Sequence, residues 1–289
     1  MKHLPDWSRP MLARCLATLL LLAVPAVAAA GTLDQIKERG TIRLGVRADA
    51  IPFSFTDTLD EPGGYSVQLC RAVAADLKDE LGMSDLKVEY VEVTTEERFA
   101  ALGEGRIDML CGATSVTLSR LDEVDFSSAT FVTGMGVLYR NDGPSSFAEL
   151  AGHKIGVRGG TTTEATLKRE LDKEKLNVEI VPIEDHEAAL GQLAEGAIDA
   201  YFADRAILIY LLQASDQKDK LTVGQRLYSI ETYALALPLD DRAFRIAVDR
   251  ALSRIYRSDT IDQIYKASFG DVAPGDILRA VYVLGALPD

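Results

Sequence analysis

Histidine, cysteine and tryptophan are scarce in this sequence of 289 residues, which holds three histidines, three cysteines and one tryptophan. Zinc sites are built from closely spaced cysteine and histidine side chains, and no such spacing occurs here. Beyond the first thirty residues, the chain also lacks an apolar run of about 18 residues, the length that indicates a membrane-spanning helix. We therefore expect no metal, no other cofactor and no membrane span in the mature protein.

Basic residues are also in short supply, since 31 lysines and arginines face 44 aspartates and glutamates, a formal charge of −13. An acidic surface repels phosphate backbones and anionic lipids, so we expect no nucleic-acid partner. With 47% hydrophobic and 26% charged residues, the composition is typical of one or two globular domains with ordinary cores.

The first thirty residues have the organisation of a secretory signal peptide. Lys2, Arg9 and Arg14 precede a 16-residue apolar run, Cys15 to Ala30, which contains a proline and ends in small residues. The run is too short and broken for a comfortable membrane span, so an uncleaved anchor is the weaker alternative. We expect cleavage near residue 30 and an exported mature protein. Its charge would be −15, because three basic residues and one aspartate leave with the signal peptide.

Two cysteines, Cys70 and Cys111, remain in the mature chain. In an oxidising compartment they have one possible internal pairing, and the alternative is two separately buried thiols. A bond would close a loop of about 41 residues, which the chain-entropy model values at roughly 4 kcal/mol.

Segments with the patterns of strands and helices alternate along residues 41–214. Short runs rich in β-branched residues predict strands, and apolar residues at helical spacing predict helices. The predicted strands are residues 41–46, 86–93, 107–110, 154–157, 178–181 and 198–202. The predicted helices are residues 65–81, 95–103, 162–171, 185–195 and 204–214. This alternation is typical of an α/β fold with mainly parallel sheets.

Two segments repeat one pattern, which indicates two α/β layers with a sheet each. "AALGEGRIDMLCGAT" (100–114) and "LGQLAEGAIDAYFAD" (190–204) each contain a helix ending at Glu-Gly, an Ile-Asp pair, a strand and a polar loop. Gly105 and Gly196 suit left-handed helix ends, although such common units can also match by chance. Ligands of open α/β sheets bind beyond the carboxyl ends of strands, so Ala113 to Ser115 and Asp204 would face a cleft between two lobes.

Three further stretches add polar groups to that cleft. Arg47 follows the first strand, and "VTTEERF" (93–99) opens a helix with two threonines and Arg98. "RGGTTTEATL" (158–167) has the pattern of a helix N-cap with a capping box, whose free amides attract an anion. A cap that binds nothing is an equal alternative. The Gly-Lys-Ser/Thr element of a phosphate loop is missing.

Enzyme signatures are mostly missing from the sequence. His153 and His186 are far apart, and "GYSVQ" (64–68) has the serine of a nucleophile elbow but lacks its second glycine. The sequence contains no recognisable set of catalytic residues, and we expect that the protein is not an enzyme.

Five segments occur in the order of a known family: "GYSVQLC", "CGATSVTLSRLDEVDFSSATFVTG", "GGTTTE", "EDHEAAL" and "AYFADRAIL". Over about residues 31–270 the chain resembles the periplasmic amino-acid-binding proteins of ABC importers, bacterial solute-binding protein family 3, and in particular their glutamate/aspartate-binding branch. The resemblance implies an α/β fold of the two-lobed periplasmic binding protein type (type II), with a ligand cleft between lobes joined by two hinge strands.

The resemblance also implies where the lobes begin and end. Lobe 1 would comprise residues 31–131 and 235–289, and lobe 2 residues 132–234. The crossings would be Ser127 to Thr133 and Ile230 to Ala234. The tail, residues 271–289, has no match in the general pattern.

Ligand roles implied by the resemblance fall on nine residues. Arg120 would bind the α-carboxylate of an amino acid, since a guanidinium presents a planar fork to a carboxylate, and Asp204 would bind the α-ammonium. The side-chain carboxylate of an acidic ligand would contact Arg47, Arg98 and His186. Matching hydroxyl positions are Thr95, Ser115, Thr161 and Thr162. Each arginine could instead be an ordinary surface residue, and His186 could simply cap a helix or face solvent.

Two positions depart from the pattern of the branch. Ala113 stands where serine is common after "CG", and Arg205 stands where a second acid often follows the aspartate at Asp204. The missing hydroxyl leaves open which amino acid is bound.

The function that the resemblance implies is capture of an L-amino acid, expected to be glutamate or aspartate, by lobe closure. A monomer without a cofactor would then deliver this small molecule to the membrane permease of an ABC importer. One alternative is a periplasmic dehydratase of the cyclohexadienyl type on the same scaffold, with His186 or a nearby carboxylate as general acid or base. The other is an amino-acid sensor module.

Overall fold

The structure is a computed structural model, and it describes residues 30–288. The predicted signal peptide, apart from Ala30, lies outside the described residues. Within residues 30–288, no helix has the length and apolar character needed to cross a membrane.

Two five-stranded sheets are the centres of two lobes. Lobe 1 contains β1 (Thr41–Val46), β5 (Lys87–Glu92), β6 (Met109–Cys111), β7 (Asp125–Thr133) and β13 (Glu231–Leu237), in spatial order β5-β1-β6-β13-β7. Lobe 2 contains β8 (Met135–Arg140), β9 (Lys154–Arg158), β10 (Glu179–Ile183), β11 (Ala200–Asp204) and β12 (Leu221–Val223), in spatial order β10-β9-β11-β8-β12. A small third sheet follows β1 and consists of β2 (Asp49–Ala50), β3 (Ser54–Thr56) and β4 (Pro62–Gly63).

Helices cover both sheets. Those of the described chain are α1 (Thr32–Arg39), α2 (Tyr65–Glu80), α3 (Arg98–Gly103), α4 (Thr162–Glu174), α5 (His186–Glu195), α6 (Arg205–Ala214), α7 (Arg242–Tyr256), α8 (Thr260–Phe269) and α9 (Asp276–Gly285). Short 3-10 helices occur at Arg120–Asp122, Phe147–Leu150 and Lys218–Lys220. The predicted α/β class and its two-lobed form are confirmed.

The expectation of mainly parallel sheets holds for only part of each sheet. Three adjacent strands are parallel in each, β5-β1-β6 and β10-β9-β11. The remaining pairings are antiparallel, because β13 returns from the other lobe and β8 and β12 pair as neighbours running in opposite directions. Sequence alternation alone does not report these returning strands.

The chain passes from the first sheet to the second between Thr133 and Met135, and returns between β12 and β13. The two connecting strands, β7 and β13, pair antiparallel with Thr133 opposite Glu231. This ladder joins the lobes as two crossing strands, as a hinge requires. The lobe boundaries expected after residues 131 and 234 fall inside these two strands, and they stay a prediction.

The repeated Ile-Asp pattern has one structural role in both lobes. Asp108 accepts a hydrogen bond from the Arg43 backbone N–H (2.7 Å), and Asp199 accepts one from the Lys154 backbone N–H (3.1 Å), so each aspartate binds the backbone of the neighbouring parallel strand, β1 or β9. The glycines before the two pairs adopt the left-handed conformation that was predicted, with φ of 64° at Gly105 and 71° at Gly196.

Cys70 and Cys111 form the disulfide, with their Cα atoms 6.1 Å apart. The bond ties α2 to β6, the strand whose carboxyl end leads into the cleft. Both cysteines are fully buried among apolar side chains of lobe 1. Of the two alternatives left open by the sequence, the disulfide is therefore the correct one.

The unmatched tail contributes α9, which packs against β7 and α7. The hydroxyls of Tyr282 and Tyr65 are hydrogen-bonded at 2.8 Å, and Tyr65 donates to the Thr130 carbonyl at 2.8 Å. The tail thus supports the lobe 1 side of a connecting strand.

Candidate functional site

One pocket between the lobes brings together all nine residues that the sequence indicated. Its predicted members are Arg47, Thr95, Arg98, Ser115, Arg120, Thr161, Thr162, His186 and Asp204. Residues that the sequence did not single out also line it, among them Arg158, Thr163 and Tyr201. The placement tests proximity alone, and the role of each residue in binding stays a prediction.

The pocket forms where the carboxyl ends of parallel strands meet across the cleft. Arg47 follows β1 and Ser115 follows β6 in lobe 1, while Arg158 and Asp204 are the last residues of β9 and β11 in lobe 2. This is the edge at which open α/β sheets bind ligands. The amino end of α4 also lines the pocket, through Thr161, Thr162 and Thr163, and the amino end of a helix favours an anion.

Arg120 lies on the lobe 1 wall, where its Nη1 donates to the Ser115 carbonyl at 2.7 Å. Its guanidinium lies 5.3 Å from the centroid of the Phe99 ring. Burial lowers the pKa of Arg120, although Glu231 and Asp204 partly oppose this shift. The contact with Ser115 holds one side of the guanidinium, and within the described residues its remaining N–H groups can still bind a carboxylate.

Asp204 is the acidic group opposite Arg120. Its Oδ2 accepts a hydrogen bond from the Tyr233 hydroxyl, whereas its buried Oδ1 has no hydrogen bond of good geometry within residues 30–288, and the nearby Thr163 hydroxyl only helps to hold the pKa of Asp204 down. Burial, and then the negative charge of Glu231, raise the pKa of Asp204 to about 6. A buried carboxylate oxygen without a partner is a ready acceptor for an ammonium group.

Arg98 is the pocket cation with the least compensation. Its Nη1 donates to the Thr95 carbonyl, but its Nε and the Thr95 hydroxyl are buried without hydrogen-bond partners in the described chain. Burial lowers the pKa of Arg98 to about 9, and the positive charges of Arg120 and Arg47 add to the shift. A buried guanidinium in this state gains strongly from a bound carboxylate.

Arg47 is already paired inside the protein. Its Nε and Nη2 donate to Asp49 Oδ1 at 3.2 and 2.7 Å, and Asp49 Oδ2 forms an ion pair with Arg158 Nη1. Asp49 thus links an arginine of lobe 1 to an arginine of lobe 2. Burial lowers the pKa of Arg47 despite this nearby carboxylate.

His186 begins α5 and is buried, with its Nδ1 2.7 Å from the Tyr201 hydroxyl. Burial, and then the positive charge of Arg158, lower the pKa of His186 to about 3. The imidazole is therefore neutral in the ordinary pH range, and the alternative in which His186 faces solvent is wrong.

Hydroxyl groups of α4 are engaged within the protein. The Thr161 hydroxyl caps α4 by accepting from the Glu164 N–H (3.1 Å) and donates to the Arg158 carbonyl (2.8 Å). Thr162 donates to Glu231 Oε2 at 2.7 Å and lies 3.3 Å from the Ser115 hydroxyl. The predicted N-cap is therefore real, and Thr162 contacts both lobe 1 and a connecting strand.

Four residues that line the pocket or bond to its lining were not predicted from the sequence: Asp49, Arg158, Tyr201 and Glu231. Arg158 could have been found, because it ends a strand of lobe 2 as Asp204 does. Tyr201 and Glu231 had no signal of this kind, since one is an apolar-looking strand residue and the other lies in a crossing strand that no motif marks.

The chain matches known proteins along most of its length. The model of the bacterial extracellular solute-binding proteins, family 3, matches residues 42–271. The L-glutamate/L-aspartate-binding protein of Pseudomonas aeruginosa is 35% identical over 260 residues, covering 88% of this chain and 85% of that protein. The glutamate/aspartate import solute-binding protein of Escherichia coli K12 is 29% identical over 266 residues, covering 91% and 88%.

A solved structure is similar as well. The ancestral amino acid-binding protein AncCDT-1, a precursor of cyclohexadienyl dehydratase, has a TM-score of 0.71 and 29% identity, and the match covers 83% of this chain and 100% of that one. The matched family model spans both lobes and the pocket between them. The chain therefore belongs to family 3 of the bacterial extracellular solute-binding proteins.

Proposed function

We propose that the protein captures an acidic L-amino acid, glutamate or aspartate, between its lobes for delivery to the membrane permease of an ABC importer. The observation that carries this proposal is a pair of buried, unpartnered groups of opposite sign. Arg98 Nε offers a donor and Asp204 Oδ1 offers an acceptor, and neither has a partner within the described chain. A zwitterion with a second carboxylate supplies a partner for each, and Arg120 lies ready for the α-carboxylate.

The formal charge of the pocket also favours an anionic ligand. Four arginines line it, at positions 47, 98, 120 and 158. The acids that line it or bond to its lining are Asp204, Asp49 and Glu231, so the formal charge is +1 with His186 neutral. An acidic amino acid carries a net charge of −1 and balances the site. The mature protein would carry −15 overall and repel an anion at long range, so the attraction of the pocket acts only within about one Debye length, roughly 8 Å.

Closure would complete the binding. A ligand docks on one lobe, the strands β7 and β13 rotate, and the other lobe adds its hydrogen bonds. The Ser115–Thr162 contact and the Asp49–Arg158 ion pair, which join the two sides of the cleft, support this proposal. We further propose a periplasmic location after signal cleavage near residue 30, and a monomer as the working unit.

We also propose that the pocket performs no chemistry. A general acid or base works best with a pKa near the ambient pH. Of the groups that the dehydratase alternative would use, His186 has a pKa lowered to about 3 and a neutral ring bonded to Tyr201, and the carboxylate of Asp204, with a pKa raised to about 6, is taken up by the α-ammonium of the ligand in this proposal. Recovery of unchanged ligand after long incubation is expected, and release of a dehydrated product would contradict this part of the proposal.

A thermal-shift screen of the mature protein against the common amino acids and small dicarboxylates tests the proposed ligand. We expect the largest rise in melting temperature with glutamate or aspartate, because a ligand at 1,000 times its Kd stabilises a folded protein by about 4 kcal/mol. A response only to neutral or basic amino acids would refute the acidic-ligand assignment. Dye-based detection is preferable, since the single tryptophan, Trp7, lies in the predicted signal peptide.

Binding should weaken in mild acid because of Asp204. The α-ammonium needs the ionised carboxylate, whose pKa in the ligand-free protein is raised to about 6. Protonation below that pH competes with the ligand, so we expect Kd for glutamate to be about ten-fold higher at pH 5 than at pH 8. Calorimetric titration across this range measures the effect. Asp204→Asn should bind weakly with a flat profile, and a flat profile in the wild type would contradict the assignment.

A further inference from the structure

Asp49 places a carboxylate of the protein beside Arg47, which is expected to bind the ligand's side chain, and beside Arg158 of the same pocket. Its Oδ1 accepts from Arg47 at 2.7 Å, and its Oδ2 pairs with Arg158. The side chain of Asp49 is 24% exposed, against 8% for Arg47 and 11% for Arg158. Burial opposes ionisation of Asp49, but the two arginines outweigh it, and the pKa of Asp49 lies below its ordinary value.

The consequence is an internal counter-charge at one end of the pocket. With Asp49 present, Arg47 and Arg158 are partly neutralised before any ligand arrives, and Arg98 is left as the uncompensated cation. A ligand with a neutral amide side chain therefore leaves only Arg98 unpaired among these three arginines. Without Asp49, the same ligand would leave Arg47, Arg98 and Arg158 unpaired. The same carboxylate repels the side-chain carboxylate of an acidic ligand.

We propose that Asp49 is a specificity-determining residue, which reduces the preference of the pocket for an acidic over an amide side chain, with Arg158 acting in the opposite sense. This inference rests on the proposed function. Removal of the Asp49 charge raises the formal charge of the pocket from +1 to +2, and removal of the Arg158 charge lowers it to 0. Selectivity is a difference between two affinities, so it follows this charge directly.

The test is calorimetry with glutamate and glutamine on the wild type, Asp49→Asn, Arg158→Gln and the double variant, with the ratio of the two Kd values as the readout. A unit charge within several ångströms in this environment changes that ratio by about ten-fold or more. We expect the preference for glutamate to rise in Asp49→Asn, to fall in Arg158→Gln and to return near the wild-type value in the double variant. The Asp49–Arg158 pair also joins the lobes, but a change in closure affects both ligands and cancels in the ratio.

Asp85→Asn is the matched control, because Asp85 is an exposed aspartate at the amino end of β5, away from the carboxyl ends that form the pocket. Its ratio should equal that of the wild type. Should glutamine be undetectable with the wild type, Kd for glutamate is the readout, and it should fall in Asp49→Asn and rise in Arg158→Gln. An unchanged or reduced preference for glutamate in Asp49→Asn overturns the inference. If the wild type binds no acidic amino acid, it is the proposed function that fails, and the two failures are distinct.

Discussion

Replacement of Arg120 by alanine is expected to abolish measurable binding of every amino acid, whatever its side chain. All amino acids share the α-carboxylate, and Arg120 is the pocket arginine that faces Asp204, the proposed site of the α-ammonium. Loss of one member of a buried charge pair costs about 2 to 5 kcal/mol, roughly 30- to 5,000-fold in Kd. Calorimetry with glutamate, aspartate and glutamine measures this loss.

Two variants make the result interpretable. Arg120→Lys keeps the charge but loses the planar fork, so it should recover part of the affinity. Arg106→Ala removes an arginine that is 42% exposed and paired with Glu97 and Glu104 on the surface, and it should bind as the wild type does. Retention of binding by Arg120→Ala, in a protein with an unchanged melting temperature, would contradict the assignment of the α-carboxylate.

The regular elements up to residue 214 were largely predictable from local pattern. β1 has the predicted bounds, and α2 ends one residue earlier than expected. The spacing of apolar residues follows the buried face of an element, so it predicts strands and helices that have one buried face. The helix α1, the small sheet β2–β4 and the strands β8 and β12 were missed, because short elements and strands that pair across long connections leave little local signal.

The residues of the candidate site that could be predicted are those that lie in a recognisable sequence motif. All nine predicted residues line one pocket. Among them is Thr161, which also caps a helix, so the sequence alone could not tell a binding residue from a cap at this position. What the sequence did not reveal is pairing across the cleft. Asp49 and Arg158 are 109 positions apart, and only the packing of two lobes makes them neighbours. Shifts in pKa, such as that of His186, depend on the same packing.

Arg98→Ala should change which amino acid binds instead of whether one binds. Arg98 is buried, its Nε has no partner in the described chain, and it belongs to the end of the pocket assigned to the ligand side chain. We expect Kd for glutamate to rise by about 30-fold or more, with a much smaller change for glutamine, since a neutral amide never compensated the guanidinium. Competition calorimetry with both ligands measures the split.

The stability of the ligand-free variant supplies an independent readout. The pKa of Arg98 is lowered to about 9, chiefly by burial, so its charged form is disfavoured in the folded state and destabilises the protein below that pH. Ligand-free Arg98→Ala should therefore melt at or above the wild-type temperature at pH 7, while ligand-induced stabilisation by glutamate shrinks. Equal losses for glutamate and glutamine would contradict the division of roles between Arg98 and Arg120. A lower melting temperature without ligand would show that Arg98 is a structural residue, whose contacts with Phe99 and the Thr95 carbonyl outweigh its unpaired charge.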